Sequence, residues 1–310
     1  MIPAATLFDP LPIKAVGSSL RAAKFPAAPD VAYRGVCVLL NGQTEFIEKY
    51  FEVIDELRER GFSVATLDWR GQGGSARMTQ DSRKSFIGDF AEYDDDLDTL
   101  MNWIVTPMLA TGEKPFALAH SMGAHVLLRR LTRRPGEFRA AVLSAPMIAI
   151  SFRGQREFLV RAVTRYHIWR GLRAGWVWGM EGRDPHKVTF STQLVTSDPQ
   201  RFERTQMLLR EKPDLRLAGA TWGWLAAALS SMDWLRDKAQ TITTPLLLVG
   251  AGADRICLTP QTRAFAKKLP HADYVEIDES GHEILMERNP IRVRFWAEFD
   301  AFIKKHHAPV

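Results

Sequence analysis

The chain has 310 residues, of which 46% are hydrophobic and 25% are charged, and its formal net charge is +5. These proportions exclude a disordered or fibrous chain and are typical of a folded protein with a large core. The two cysteines, Cys37 and Cys257, are too few for a disulfide framework and do not form the paired motif of a zinc site.

Residues 1–29 contain no continuous apolar stretch of the length found in signal peptides. No other segment approaches the roughly 20 apolar residues that a membrane-spanning helix needs. We therefore expect a cytoplasmic protein.

Short apolar runs bounded by turn residues alternate with segments of helical periodicity, as in β-α units around a parallel sheet. Between the first two runs, apolar residues recur at helical spacing from Ile47 to Leu57, and Gly61 follows where a left-handed cap would fall. The pattern predicts an α/β fold with a mostly parallel central sheet flanked by helices. The runs that predict buried strands are residues 36–40, 62–67, 116–119, 140–143, 246–249 and 274–277.

The alternation stops after Pro146 and resumes near Thr244. We predict a core domain of residues 1–146 and 244–310, into which residues 147–243 are inserted as a mainly helical cap. The alternative is that the aromatic residues of this segment only fill a small core of their own. Six of the nine tryptophans lie in it: Trp169, Trp176, Trp178, Trp222, Trp224 and Trp234.

A serine follows the third of these apolar runs, at the start of a segment with helical character near Met122. A serine on a sharp strand-to-helix turn is held clear of the backbone, and the helix N-terminus offers N–H groups to developing negative charge. Small residues must flank such a turn, and Ala119 and Gly123 meet that need. The pattern predicts Ser121 as a nucleophile.

A serine nucleophile needs a base, and the base needs an acid that orients it. Asp254 and His282 each follow a late predicted strand, in the expected chain order of serine, acid and histidine. Asp278, four residues before His282, is the alternative acid. The histidines beside the serine, His120 and His125, are poorly placed to serve as the base.

Two backbone N–H groups must face the oxyanion that forms in acyl transfer. Met122 directly follows the serine and supplies one candidate N–H. Gln43, in the loop after the first predicted parallel strand, supplies the other, although Asn41-Gly42 also fits an ordinary turn. This chemistry needs no metal or organic cofactor, and we expect none.

With these motifs, the sequence resembles the bacterial lysophospholipase and monoacylglycerol lipase group of α/β-hydrolases. Residues 41–45 (NGQTE) are similar to the H-G-x-x-E loop of that group, and residues 119–123 (AHSMG) to its G-H-S-M-G turn. Residues 68–75 (DWRGQGGS) match its D-x-R-G-x-G-x-S turn, which we expect to brace the site. Asn41 and Ala119 depart from the usual His and Gly.

The resemblance implies an α/β-hydrolase fold and a serine carboxylic-ester hydrolase. The enzyme would release a fatty acid from a single-chain lipid ester, a lysophospholipid or a monoacylglycerol, through an acyl-enzyme. A general carboxylesterase acting on small soluble esters is the alternative activity. A non-catalytic binding protein with this fold is a further alternative, which the complete set of serine, acid and histidine disfavours.

The predicted cap begins with a basic segment in which arginines alternate with apolar residues such as Phe158, Tyr166 and Trp169. If helical, this segment can make a peripheral contact with anionic lipid; the alternative is a solvated charged face. No nucleic-acid partner is expected, and the sequence leaves the oligomeric state open. The arginines are Arg153, Arg156, Arg161, Arg165, Arg170 and Arg173.

Overall fold

The computed structural model describes residues 9–12 and 19–307. Eight strands form one sheet in the order β1-β2-β4-β3-β6-β7-β9-β10, and β5 pairs with β8 separately. In chain order the strands are β1 (Asp9–Pro12), β2 (Ser19–Phe25), β3 (Gly35–Leu40), β4 (Phe62–Leu67), β5 (Lys84–Ser85), β6 (Phe116–His120), β7 (Ala140–Ser144), β8 (Gly219–Ala220), β9 (Leu246–Ala251) and β10 (Ala272–Ile277).

Helices cover both faces of the sheet. On one face, α1 and α9 pack against the side chains of Cys37 and Leu39. On the other face, α2, α4, α7 and α8 share a core with Val38 and Leu40. The helices are α1 (Phe51–Glu59), α2 (Ala91–Leu100), α3 (Thr106–Met108), α4 (Ser121–Arg133), α5 (Glu157–Trp169), α6 (Pro199–Glu211), α7 (Trp222–Arg236), α8 (Thr259–Ala266) and α9 (Asn289–His306).

The six predicted strands are all present, and β3 to β10 of the main sheet pair in parallel. Most are buried along their whole length, as expected when helices cover both faces of a sheet. The antiparallel strands β1 and β2 at one edge were not predicted. Gly61 has a φ of +86°, which agrees with the predicted left-handed cap after α1.

Residues 147–243 lie between β7 and β9 and contain α5, α6 and α7. The N-cap of α6 is Asp198 and that of α7 is Thr221, and each side chain accepts backbone N–H bonds from the first turn. Trp222 and Trp224 of α7 are buried in the same core as the sheet, whereas Trp169 and Trp178 are exposed. The division into core and cap stays a prediction.

None of the helices in the described residues combines the length and the apolar character needed to cross a membrane. The expectation that residues 1–29 carry no signal peptide falls partly on residues 1–8 and 13–18, which lie outside the described residues.

Candidate active site

The chain turns sharply between β6 and α4, and Ser121 occupies the turn. Its φ is +49°, a left-handed conformation that non-glycine residues rarely adopt. A Cβ built on Gly123 would lie 2.6 Å from the carbonyl oxygen of Leu40, so only glycine fits there without a shift of backbone. The serine is therefore held at the N-terminus of α4 by a strained turn packed closely against the end of β3.

Ser121, His282 and Asp254 form a continuous hydrogen-bonded chain, although 161 residues separate the serine from the histidine. His282 Nε2 lies 2.9 Å from Ser121 Oγ, and His282 Nδ1 lies 2.7 Å from Asp254 Oδ2. Because an ionised carboxylate only accepts, the Nδ1 nitrogen carries the proton and Nε2 is free to accept the serine proton. This arrangement suits general-base activation of the hydroxyl.

The orientation of Asp254 is fixed by the loop that follows β9. Its Oδ1 accepts the backbone N–H groups of Ile256 at 2.8 Å and Cys257 at 2.9 Å, which leaves Oδ2 for the histidine. The alternative acid, Asp278, is exposed at the end of β10. The structure thus brings Asp254, and not Asp278, to the imidazole.

The two histidines beside the nucleophile are bonded elsewhere. His120 Nδ1 lies 3.1 Å from the carbonyl oxygen of Ser144, and burial lowers the pKa of His120 to about 4. His125 lies between the carbonyl of Met147 and the hydroxyl of Ser231, and burial lowers its pKa to about 3. Both imidazoles are neutral at neutral pH.

The two candidate oxyanion donors lie on backbone next to Ser121. The N–H of Met122 belongs to the first turn of α4, where backbone donors have no intrahelical acceptor. Within the residues that the structure describes, the N–H of Gln43 has no acceptor either. A Cβ on Gly42 would lie 3.2 Å from Ser121 Cβ, so the loop of residues 41–45 runs directly beside the serine.

The segment of residues 68–75 supports that loop, as predicted. Asp68 Oδ1 accepts the N–H of Ile47 at 2.9 Å, and Gln72 Oε1 accepts the N–H of Thr44 at 2.7 Å. The second carboxylate oxygen of Asp68 accepts the N–H of Gly74 at 2.7 Å. These bonds fix the backbone that follows Gln43 and tie it to the segment of residues 68–75.

The sequence analysis did not single out Cys257, which lies in the site. Atoms of Asp254, Cys257 and His282 that could bind a metal come within 4.8 Å of one another. However, the carboxylate and imidazole already hydrogen-bond to each other, and burial raises the pKa of the Cys257 thiol. This geometry fits an acid–histidine pair better than a metal centre, because zinc binds the thiolate.

Comparison with known proteins places the chain among serine hydrolases. The family Hydrolase_4, described as serine aminopeptidase S33, matches residues 32–289. Lysophospholipase L2 of Escherichia coli K12 is 29% identical over 283 residues, which cover 88% of this chain and 82% of that protein. Monoacylglycerol lipase of Mycolicibacterium smegmatis is 32% identical over 249 residues, or 79% of each chain.

A solved structure has the same fold. The crystal structure of Paleococcus ferrophilus monoacylglycerol lipase superimposes with a TM-score of 0.71 and 24% sequence identity. The match covers 93% of this chain and 99% of that one. The fold predicted from the sequence, an α/β-hydrolase, is thereby confirmed.

Proposed function

Because the chain belongs to the Hydrolase_4 (serine aminopeptidase S33) family, we propose that it is a serine carboxylic-ester hydrolase. Its proposed substrate is a single-chain glycerolipid, from which it releases a fatty acid. The observation that carries the proposal is the chain of hydrogen bonds from Asp254 through His282 to Ser121. Its relatives include a lysophospholipase and a monoacylglycerol lipase, which favour this substrate class.

In the proposed mechanism, His282 removes the hydroxyl proton of Ser121 as the oxygen attacks the ester carbonyl. The N–H groups of Gln43 and Met122 bind the oxyanion of the tetrahedral intermediate. Asp254 stabilises the imidazolium, which then protonates the departing glycerol oxygen. In the second half of the reaction, water attacks the acyl-enzyme while His282 takes a proton from it. The bond between the acyl group and the Ser121 oxygen then breaks, His282 returns the proton to that oxygen, and the fatty acid leaves.

The test is fatty-acid release from lysophosphatidylcholine and from a monoacylglycerol of equal chain length, with the wild type beside Ser121→Ala. We expect release by the wild type and none above background by the variant, and the faster substrate identifies the preferred head group. Hydrolysis of short soluble esters alone would instead support the general carboxylesterase. Equal release by the serine variant would refute the serine mechanism.

We also propose that the protein approaches its substrate at a membrane surface through α5 and the loop after it. Trp169 and Trp178 are 78% and 67% exposed, and Phe158 and Tyr166 are exposed on the same segment. Aromatic side chains at this density suit the interface of a bilayer, where apolar acyl chains and polar head groups meet.

Two of the segment's six arginines bond to other parts of the protein, and Arg173 is one of them, since its Nη2 donates to the carbonyl of Gly88 at 2.9 Å. Arg161 forms ion pairs with Glu157 and Asp233 and so packs α5 against α7. Four others are exposed and, among the described residues, have no carboxylate partner, which leaves their charge for anionic lipid. They are Arg153, Arg156, Arg165 and Arg170.

Sedimentation with vesicles of phosphatidylglycerol and phosphatidylcholine tests this contact. We expect binding that increases with the phosphatidylglycerol fraction, falls with salt, and weakens in Trp169→Ala/Trp178→Ala. Trp103→Ala is the matched control, because Trp103 is also exposed but lies before β6, outside this segment. Binding that both tryptophan changes leave intact would contradict the proposed surface.

A further inference from the structure

A buried lysine connects two loops of the site that lie far apart in the chain. The first, the oxyanion loop, is residues 41–45, and the second, the histidine loop, is residues 278–283. Lys49 Nζ donates to Glu45 Oε1 at 2.7 Å and to Glu283 Oε1 at 2.6 Å. The side chains of Lys49, Glu45 and Glu283 are only 7%, 4% and 12% exposed. Removing three charges from water is costly, so their mutual bonds have to compensate.

At one end of this network, Glu45 fixes the shape of the oxyanion loop. Its Oε2 accepts the backbone N–H of Gly42 at 2.5 Å and the hydroxyl of Tyr50 at 2.6 Å. Burial opposes ionisation of Glu45, but the charge of Lys49 and the hydrogen bonds from Lys49 and Tyr50 help to outweigh it, and the pKa of Glu45 is lowered to about 2. The carboxylate is therefore ionised, and it orients the Asn41–Gly42 peptide, which is one peptide before the N–H of Gln43.

At the other end, Glu283 directly follows the proposed general base. Its backbone N–H donates to the carbonyl of Val195 at 2.8 Å, so its side chain and main chain are both anchored. Burial raises the pKa of Glu283 by more than the charge of Lys49 lowers it. The carboxylate also interacts electrostatically with His282, in the direction that favours the imidazolium.

We propose that Glu45, Lys49 and Glu283 act as a charge bridge of positioning residues, which holds the oxyanion loop and the histidine loop in one fixed arrangement around Ser121. The inference rests on the proposed serine-hydrolase function. The bridge sets the distance between the two groups that must act together, the N–H that binds the oxyanion and the imidazole that moves the proton. The negative end at Glu283 favours the protonated imidazole that forms as the serine attacks.

The first variant is Glu283→Gln, which keeps the shape of the side chain and removes its charge. We expect kcat to fall about 10-fold or more, as for loss of a charged hydrogen bond, with KM nearly unchanged. The split between kcat and KM is the diagnostic readout, because a side chain that only stabilised the fold would leave the kcat of the folded variant unchanged.

The second variant, Lys49→Met, breaks the bridge at its centre and should slow the labelling of Ser121 by a fluorophosphonate at least about 10-fold, since labelling needs the same oxyanion site. Glu137→Gln is the matched control. It removes a carboxylate that pairs with buried Arg130 at the end of α4, remote from the site. We expect this control to label at the wild-type rate.

If Lys49→Met does not fold, Glu283→Gln alone decides. An unchanged kcat and labelling rate in folded Glu283→Gln would overturn the charge bridge while leaving the proposed hydrolase intact. A wild-type protein that neither labels nor releases fatty acid would instead refute the proposed function, and the bridge with it. A slower kcat with a nearly unchanged KM supports the bridge.

Discussion

Replacing Asp254 by Asn tests the proposed acid at nearly constant shape. In the wild type, Oδ1 accepts two backbone N–H groups and Oδ2 accepts the Nδ1–H of His282. Only an oxygen can satisfy the two backbone donors. The carbonyl of the new amide therefore takes the Oδ1 position, and its NH₂ group faces the imidazole.

That geometry predicts a large kinetic effect and a small effect on stability. An NH₂ facing Nδ1 favours the tautomer with the proton on Nε2, and this nitrogen then cannot accept the proton of Ser121. In a serine protease the same change lowers kcat by about 10⁴-fold, which corresponds to about 5 kcal/mol in the activation free energy. The two backbone hydrogen bonds are kept, so the free energy of unfolding should change little.

The assay is hydrolysis of a monoacylglycerol under saturating conditions, beside urea unfolding of both proteins. Asp278→Asn is the control, because it removes an exposed carboxylate four residues before His282, and we expect wild-type activity from it. A loss of less than about 10-fold in Asp254→Asn would refute the assignment of Asp254 as the orienting acid, and a large loss in the control would transfer that role to Asp278.

Two further predictions concern glycines and acid stability. A methyl group on Gly123 would meet backbone oxygens, whereas one on Gly42 would meet the side chains of Glu45, His120 and Ser121. Gly123→Ala should therefore lose about 1–3 kcal/mol in urea unfolding. Gly42→Ala, which crowds the proposed nucleophile and the oxyanion loop, should mainly lose kcat. The buried imidazoles of His120 and His125 have pKa values lowered to about 4 and 3. Since the unfolded chain binds these protons near pH 6.5, the free energy of unfolding should fall from pH 6.5 toward pH 4, by on the order of 3 kcal/mol per imidazole. His125→Gln should flatten this dependence, and a wild-type stability independent of pH over this range would contradict it.

The strands that the sequence predicted are those that form the centre of the sheet. Buried parallel strands are continuous apolar runs, and runs such as that of β9 have no competing helical interpretation. β2 was missed because its sequence, SLRAAKF, contains Arg, Lys and three small or polar residues, which rarely indicate a strand. Its place in the sheet depends on antiparallel pairing with β4, and the local pattern contains no information on that partner.

In the site, as in the sheet, residues marked by the local sequence pattern were predicted, and a residue that depends on a distant partner was not. Ser121, Asp254 and His282 were predicted because each follows a strand whose carboxyl end lies at the same edge of the sheet, so that topology alone brings them near one another. Lys49 was not predicted, because a lysine in a helical segment is ordinarily interpreted as a solvated surface residue. Its importance depends on Glu283, 234 residues later in the chain.

Asn41 stands where the resembled group usually has His, and its hydrogen bonds show what anchors this end of the oxyanion loop. Its side-chain NH₂ donates to the carbonyl of Leu67 at 3.0 Å, and its main-chain carbonyl accepts the indole N–H of Trp69 at 2.9 Å. These bonds join the residue after β3 to the end of β4 and to the segment that follows β4. The proposed oxyanion donor is a backbone N–H two residues later, so it depends on where this loop lies. Because Asn41 anchors the loop through its side chain and its main chain, the loop does not need a histidine to hold its position.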